Sequence, residues 1–503
     1  MPIPLFNSIA SWFLKKRIHQ IELFLKFPNE VQQEVLHNLL DTAATTHFGL
    51  QYDFKSIENY QTFSQRIPLV SYETISKDIE LSRKGVQNIF WPTPIKWFAK
   101  SSGTTSSKSK FIPVSTASLE DCHYKAGKDM LSLYFNNNPD SQLLAGKCLR
   151  LGGSSELYQN NNSYFGDLSA IIIDNMPFWA ELSSTPSQKT SLMSEWEEKM
   201  KAILAESITQ NVTSLAGVPS WMLVLLQKTL EETNTTTIHD LWPGAEVYFH
   251  GGVNFEPYRE QYQQLFPQSG FKYYEIYNAS EGFFAIQDQN NSSDLLLMLD
   301  YGIFYEFIPQ EEWSCENPKT LPLWEVELGV LYEMVITTNG GLWRYRIGDT
   351  IRFNSLHPYR IRVSGRTKQH INVFGEELMV ENAEKALAIA AQKTGVHIID
   401  YTAGPVFMEG KEKGAHEWLI EFSKPQEELT LFTHELDLAL KSLNSDYEAK
   451  RYKDITLSLP KVHAAPKGIF YKWLESKKKL GGQHKVPRLS NSREFIETLL
   501  QQF

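Results

Sequence analysis

The chain has 503 residues, a formal net charge of −10, and 42% hydrophobic and 13% aromatic side chains, enough apolar material for more than one core. Its basic runs are short, KKR at 15–17 and KKK at 477–479, so no concentrated basic face is available to displace counterions from nucleic acid, and nucleic-acid binding is excluded as a function class. Three widely spaced cysteines, Cys122, Cys148 and Cys315, suit neither a disulfide framework nor a CxxC metal site, and a reducing, cytoplasmic setting is expected.

At the N-terminus, MPIPLFNSIASWFLKKRI carries its charges after the apolar residues, the reverse of a secretory leader. Leu5, Ile9, Trp12 and Phe13 follow helical spacing and predict an amphipathic helix. No apolar run approaches the roughly 20 residues that cross a bilayer, so no integral membrane segment is expected. Up to about residue 250, helical and short extended segments alternate. In QKTSLMSEWEEKMKAILAES, Met193, Trp196, Met200, Ile203 and Leu204 repeat at helical spacing while Glu195, Glu197 and Glu198 lie off that face. AEVYFHGG and YYEIYNAS read as buried strands that end in loops. Consecutive strands follow from Leu295 to Val363, with a hairpin turn at Asn339-Gly340-Gly341. After Gly365 the pattern resets into helices and strands over roughly 135 residues, a common size for a small α/β domain.

Common catalytic fingerprints are missing: the chain has no GxG, no GxxxxGK[ST], no HExxH, and GVPSW lacks the second glycine of a hydrolase elbow. Other stretches carry chemistry. SSGTTSSKSK, residues 101–110, holds seven hydroxyl side chains, one glycine and two lysines. It is either a solvated turn or a loop whose backbone N–H groups converge on an anion. In YNASEG, Tyr277 followed by Glu281 at a strand end could stack on a base and hold magnesium, or be a buried tyrosine beside an exposed glutamate. In LWRYRIGDTIRF, alternation places Trp343 and Tyr345 on one face and Arg344 and Arg346 on the other as ordinary strand charges, and Gly348 permits a turn that displays Asp349. GRTKQHINVFGEEL, residues 365–378, offers a hinge with Arg366 near the nucleotide and Lys368 at the pivot, or a plain linker. Lys485 follows Gly481-Gly482 on a segment that could reach a reaction centre and neutralise developing charge.

In this order, these stretches resemble the acyl acid amido synthetases of the auxin-responsive (Gretchen Hagen) family, a branch of the adenylate-forming superfamily. The family's phosphate loop SSGTTxGxxK is similar to residues 101–110, its Tyr-x-x-Ser-Glu to Tyr277–Glu281, its Tyr-Arg-x-Gly-Asp to Tyr345–Asp349, and its lysine-bearing tail to QHKVPR. The resemblance implies an α/β fold: a large N-terminal domain, residues 1–366, with α/β sheets and a distorted antiparallel β-barrel, and a small mobile C-terminal lid, residues 367–503. It implies that a small-molecule carboxylic acid attacks ATP, with Mg2+ as cofactor, and that an amine, usually of an amino acid, captures the acyl adenylate. By the same resemblance Ser101, Ser102, Gly103, Thr104 and Thr105 grip phosphates, Tyr277 flanks adenine, Ser280 and Glu281 close the motif with Glu281 on magnesium, Asp349 takes the ribose, Arg366 touches ribose or phosphate, and Lys485 steadies the adenylation transition state. Gly251 and Gly252 let the backbone approach the base edge or form a plain turn.

Two positions depart from the family pattern. Ser107 stands where the loop has glycine, which costs on the order of 1 kcal/mol if positive φ is required. Asn278-Ala279 replaces Gly-Ser and removes a hydroxyl. The alternatives are an acyl-CoA ligase with a thiol acceptor and a catalytically silent nucleotide-binding scaffold. A monomer that uses an apolar or aromatic acid is expected, with the pocket wall drawn from helices between Leu119 and Leu226 that carry Trp179 and Trp221.

Overall fold

The computed structural model describes residues 16–501 except 102–109, 153–156, 161–162, 177, 194–195, 253–254, 256–257, 314, 368–369, 372, 374–375, 377, 408–412, 426–427, 452–456, 478–485 and 491. The predicted helix through Leu5, Ile9, Trp12 and Phe13 lies outside these residues. Residues 16–26 are helical and bury Ile21 and Phe24.

The first strands are β1 (Trp97–Ser101), β2 (Lys110–Val114), β3 (Lys147–Leu151), β4 (Tyr158–Asn160), β5 (Ser163–Gly166), β6 (Ser184–Thr185), β7 (Val212–Gly217), β8 (Val247–Gly251) and β9 (Lys272–Ala279). β1 and β2 form an antiparallel pair whose last register is Ser101↔Lys110, so the hydroxyl-rich loop closes a hairpin. β6, β3, β7, β8 and β9 are neighbours in parallel. Their crossovers include the helices Trp196–Ser207, Pro219–Thr233 and Arg259–Leu265, as parallel pairing requires. Helices on both faces explain why VYFHG is buried at every position instead of alternating. The expected helix around QKTSLMSEWEEKMKAILAES divides into Gln188–Ser191 and Trp196–Ser207; Met200, Ile203 and Leu204 are buried as predicted, and Lys199 is buried with them.

The antiparallel strands follow as β10 (Gly282–Ile286), β11 (Leu295–Leu297), β12 (Ile303–Pro309), β13 (Leu321–Pro322), β14 (Leu331–Thr338), β15 (Tyr345–Leu356) and β16 (Tyr359–Arg366). They do not stand apart from the parallel strands. β9 pairs with β10, β10 with β11 and β11 with β16, giving one twelve-stranded sheet in the order β13-β12-β14-β15-β16-β11-β10-β9-β8-β7-β3-β6. The expected barrel is therefore an antiparallel run within this sheet, and no hydrogen-bonded closure of it occurs among the described residues.

Beyond residue 366, β17 (His370–Ile371) pairs with β18 (Leu378–Met379), and β19 (Ile398–Val406), β20 (Ala415–Phe422) and β21 (Lys461–Ala465) form a three-stranded sheet. The helices Val380–Thr394 and Thr430–Leu443 share a core with it around Leu387, Trp418, Ile420 and Leu436. In the segment predicted as a hinge, Glu376 is fully buried and pairs with His416 Nε2 at 2.8 Å, while Lys368 and Gly375 lie outside the described residues. Among the described residues, side-chain hydrogen bonds reach back to the larger part: Tyr471 Oη donates to Glu197 at 3.1 Å and Arg488 Nη2 to Tyr258 Oη at 3.5 Å.

Candidate active site

β3, β7, β8 and β9 run parallel, so their C-terminal ends at Leu151, Gly217, Gly251 and Ala279 open on one side of the sheet, the side where open α/β sheets bind ligands. Gly251 and Gly252 cap β8 there, and each needs to be glycine for a different reason. A Cβ on Gly251 would stand 2.5 Å from the Ile276 carbonyl oxygen, so the neighbouring strand excludes a side chain. Gly252 turns the chain at φ +83°. Gly251→Ala is therefore expected to lose about 1–3 kcal/mol of stability, read from chemical denaturation, through overpacking against β9.

Tyr277, near the end of β9, donates from Oη to Asp349 Oδ2 at 2.6 Å, although the two are 72 residues apart in sequence. Both are buried. Two motifs recognised separately in the sequence thus meet, and the contact follows from the β9–β10–β11–β16–β15 order that folds the antiparallel strands back onto β9. The tyrosine ring also packs 4.9 Å from Phe284. Glu281 sits in the tight turn between β9 and β10, where Ala279 pairs with Gly282. Its neighbour Ser280 is buried, and Ser280 Oγ has no hydrogen-bond partner among the described residues.

The Gly348 prediction needs correction. Gly348 does not make a turn: β15 runs through it at φ +80°, and the register against β14 shifts between Arg346 and Thr350. It is a bulge, which re-aims the following side chain and points Asp349 at Tyr277. Arg366 lies directly opposite Asp349 in β16; its side chain, like that of Ser101, lies outside the described residues, as do Ser102, Gly103, Thr104, Thr105, Ser107 and Lys485. The hairpin that carries the loop approaches β15 through described contacts: Phe111 N donates to Tyr72 Oη at 2.9 Å, and Val70 N to the Arg344 carbonyl at 3.0 Å.

Arg344 is also unlike its predicted form. It precedes the strand at φ +45°, is buried, and spends every guanidinium nitrogen: Nε and Nη2 on Glu306 at 2.9–3.1 Å, Nη1 on the Ser64 and Ile67 carbonyls at 2.6 Å, and Nη2 also on Thr320 Oγ1 at 2.7 Å. The period-two reading failed because the left-handed residue flips the face.

Two polar groups at this end of the sheet escaped the sequence reading. His250, one residue before the glycine pair, is stacked on Phe255 at 4.2 Å, and burial, followed by the Arg259 charge, pulls its pKa down to about 3, so it is neutral at physiological pH. Lys199 is 2% exposed; burial lowers its pKa to about 8 against the opposing pull of Asp167. Only the helical spacing of Lys199 with buried Met200 and Ile203 hinted at an inward position.

The donors suit an adenine nucleotide: a ring with a hydroxyl, a carboxylate bound to it, and a buried unpartnered serine hydroxyl beside a glutamate. No cluster of three or more His, Cys, Asp or Glu occurs among the described residues. Tyr277→Phe is expected to raise the KM for ATP by roughly ten-fold and to lower stability by about 1–3 kcal/mol in chemical denaturation, since it takes a hydrogen bond from the buried Asp349 carboxylate.

Comparison with known proteins adds the following. Residues 17–271 match the GH3 family N-terminal domain, 296–366 its central domain and 381–494 its C-terminal domain. The chain is 22% identical to the indole-3-acetic acid-amido synthetase GH3.4 of Arabidopsis thaliana over 96% of this chain and 93% of that protein. It is 23% identical to the jasmonoyl–L-amino acid synthetase GH3.5 of Oryza sativa subsp. japonica, over 95% of each. Among solved structures it superposes on GH3.15 acyl acid amido synthetase with a TM-score of 0.78 at 18% identity, covering 94% of this chain and 93% of that one. A 2-hydroxyisobutyryl-CoA ligase in the postadenylation state shares the fold with a TM-score of 0.61 at 14% identity, over 94% and 91% of the two chains.

Proposed function

The chain belongs to the GH3 family, and from that membership we propose that it is an ATP-dependent ligase that adenylates a carboxylic acid and passes the acyl group to the amine of an amino acid. The observation that supports this reading best is the Tyr277–Asp349 hydrogen bond at the open end of the parallel strands, which joins two of the motifs in one place. Asp349, held by the tyrosine hydroxyl, accepts hydrogen bonds from ribose hydroxyls; the hairpin loop of residues 101–110 takes the phosphates; Arg366, opposite Asp349, lies in reach of ribose or phosphate. Glu281 would hold magnesium, which when bound would offset the charge of the phosphates. A carboxylate is a poor electrophile at neutral pH; with AMP as leaving group it becomes one that an amine can attack.

In this reading residues 1–366 form the nucleotide- and acid-binding domain and residues 367–503 a lid that moves between the two half-reactions, with Lys485 entering for the first. The protein acts as a monomer in the cytoplasm. No helix among the described residues is long and apolar enough to cross a membrane. Acid-dependent exchange of labelled pyrophosphate into ATP, across a panel of carboxylic acids, tests the first half-reaction. Mass spectrometry of products formed with mixed amino acids and coenzyme A tests the second. Amides are expected; thioesters alone would replace the amino acid by a thiol, and no exchange with any acid would leave a nucleotide-binding scaffold.

A further inference from the structure

Buried arginines in this protein hold carboxylates. Arg344 has Glu306, Arg451 has Asp437, Arg17 has Asp129 and Arg488 has Asp400. Arg150 has no carboxylate partner among the described residues. It sits one residue from the C-terminal end of β3, partly buried, and its one hydrogen bond among the described residues runs from Nη1 to the Met176 sulfur at 2.8 Å. A thioether is a weak acceptor. Nε is sealed from solvent with no partner among the described residues, and Nη2 makes no hydrogen bond to them. Burial accordingly pulls its pKa below the ordinary value, with the Cys148 thiol and the Glu181 charge offsetting only part of this. A desolvated guanidinium without an anion is costly to keep.

Its place in the sheet says what it faces. Arg150, Ala216, Phe249 and Tyr274 stand directly opposite one another across β3, β7, β8 and β9, and so project from the same face. Phe249 and Tyr274 are covered by Tyr134 of the helix Lys125–Asn137, with rings 5.7 and 5.2 Å apart. Next to Arg150 the row holds only the methyl group of Ala216. Two strand spacings, about 10 Å, separate β3 from β8 and its Gly251–Gly252 end. A molecule whose reacting carboxyl group lies at the nucleotide can therefore present a second group to Arg150.

We propose that Arg150 receives a second substrate carboxylate, one that is not activated: the distal carboxylate of a dicarboxylic acid or the α-carboxylate of the acceptor amino acid. This rests on the ligase reading above and narrows it. A bidentate arginine–carboxylate pair would supply the missing partner. The distal-carboxylate arm replaces the purely apolar acid expected from the sequence.

Pyrophosphate exchange in the absence of any amine separates the two sources. With Arg150→Met, the KM for linear dicarboxylic acids rises about ten-fold or more if the acid supplies the group, while the KM for ATP and for the matched monocarboxylic acids stays put. If exchange is untouched and only the KM for the amino acid rises in amide formation, the acceptor supplies it. In either case Arg150→Lys recovers part of the loss, and Arg150→Met melts no lower than the wild type, because an unpaired buried cation has been removed. Unchanged KM values for acids and amino acid alike overturn the proposal, as does a lowered melting midpoint with uniform loss of activity. Should the wild type exchange with no acid at all, the ligase reading itself fails. The melting assay then still decides: dicarboxylates or amino acids that stabilise the wild type but not Arg150→Met uphold the receptor, and equal or absent stabilisation of the two rejects it.

Discussion

Lys485→Ala is expected to lower acid-dependent pyrophosphate exchange by about 100- to 1,000-fold, the loss typical of removing one preorganised donor to developing charge. The segment after this lysine is firmly built into the protein. Thr402 Oγ1 donates to the Pro487 carbonyl at 2.6 Å, Ala403 N to the Arg488 carbonyl at 2.9 Å, and Ser490 N to the Ala403 carbonyl at 3.1 Å. Arg488 pairs with Asp400 and lies 4.8 Å over the Tyr401 ring. Three residues span at most about 10 Å, so these anchors limit how far Lys485 can range from Arg488. Truncation to alanine leaves every anchor in place, and the melting midpoint should not move. Amide formation from a supplied acyl adenylate should fall far less than exchange. Equal losses in both half-reactions would mean that Lys485 binds the nucleotide throughout and has no special role in adenylation.

The largest stability effect belongs to Arg344. Arg344→Met strands Glu306, which is 1% exposed at its side chain, without a cation, and breaking a buried pair in this way costs about 3–5 kcal/mol. The guanidinium also ties the Ser64 and Ile67 carbonyls to the start of β15. We expect the melting midpoint to fall by roughly 3–6 °C. Exchange activity should suffer with it, since Asp349 lies on the same strand. The double variant Arg344→Met, Glu306→Leu should recover much of the loss, because replacing both partners by apolar groups removes the stranded charge. If the single variant melts like the wild type, the pair contributes nothing net.

Much of this was legible in the residues. Buried parallel strands announced themselves as short apolar runs such as VYFHG, and the change to consecutive strands after Leu295 marked the antiparallel half. Tyr277 and Asp349 were identified from motif order, and the structure puts them in contact. Three things were not legible. The bulge at Gly348 depends on a register shift against β14, which only pairing defines. The burial of Arg344 depends on Glu306, 38 residues away, and on two carbonyls some 280 residues away. Arg150 reads locally as one charge in KCLRL; its lack of a carboxylate partner among the described residues is a property of what packs around it.

The continuity of the twelve-stranded sheet has a bearing on how the protein is made. β11 finds one of its neighbours in β16, so during synthesis the growing edge at β11 stays unpaired until some sixty further residues have been added. Such pairing is intrinsically slow, and an open strand edge is a site for misassociation. Asp349, the carboxylate proposed to take the ribose, arrives with the same late strands, so on that proposal a nascent chain that has completed its parallel half still lacks part of its ATP site, and ligand cannot rescue an early intermediate.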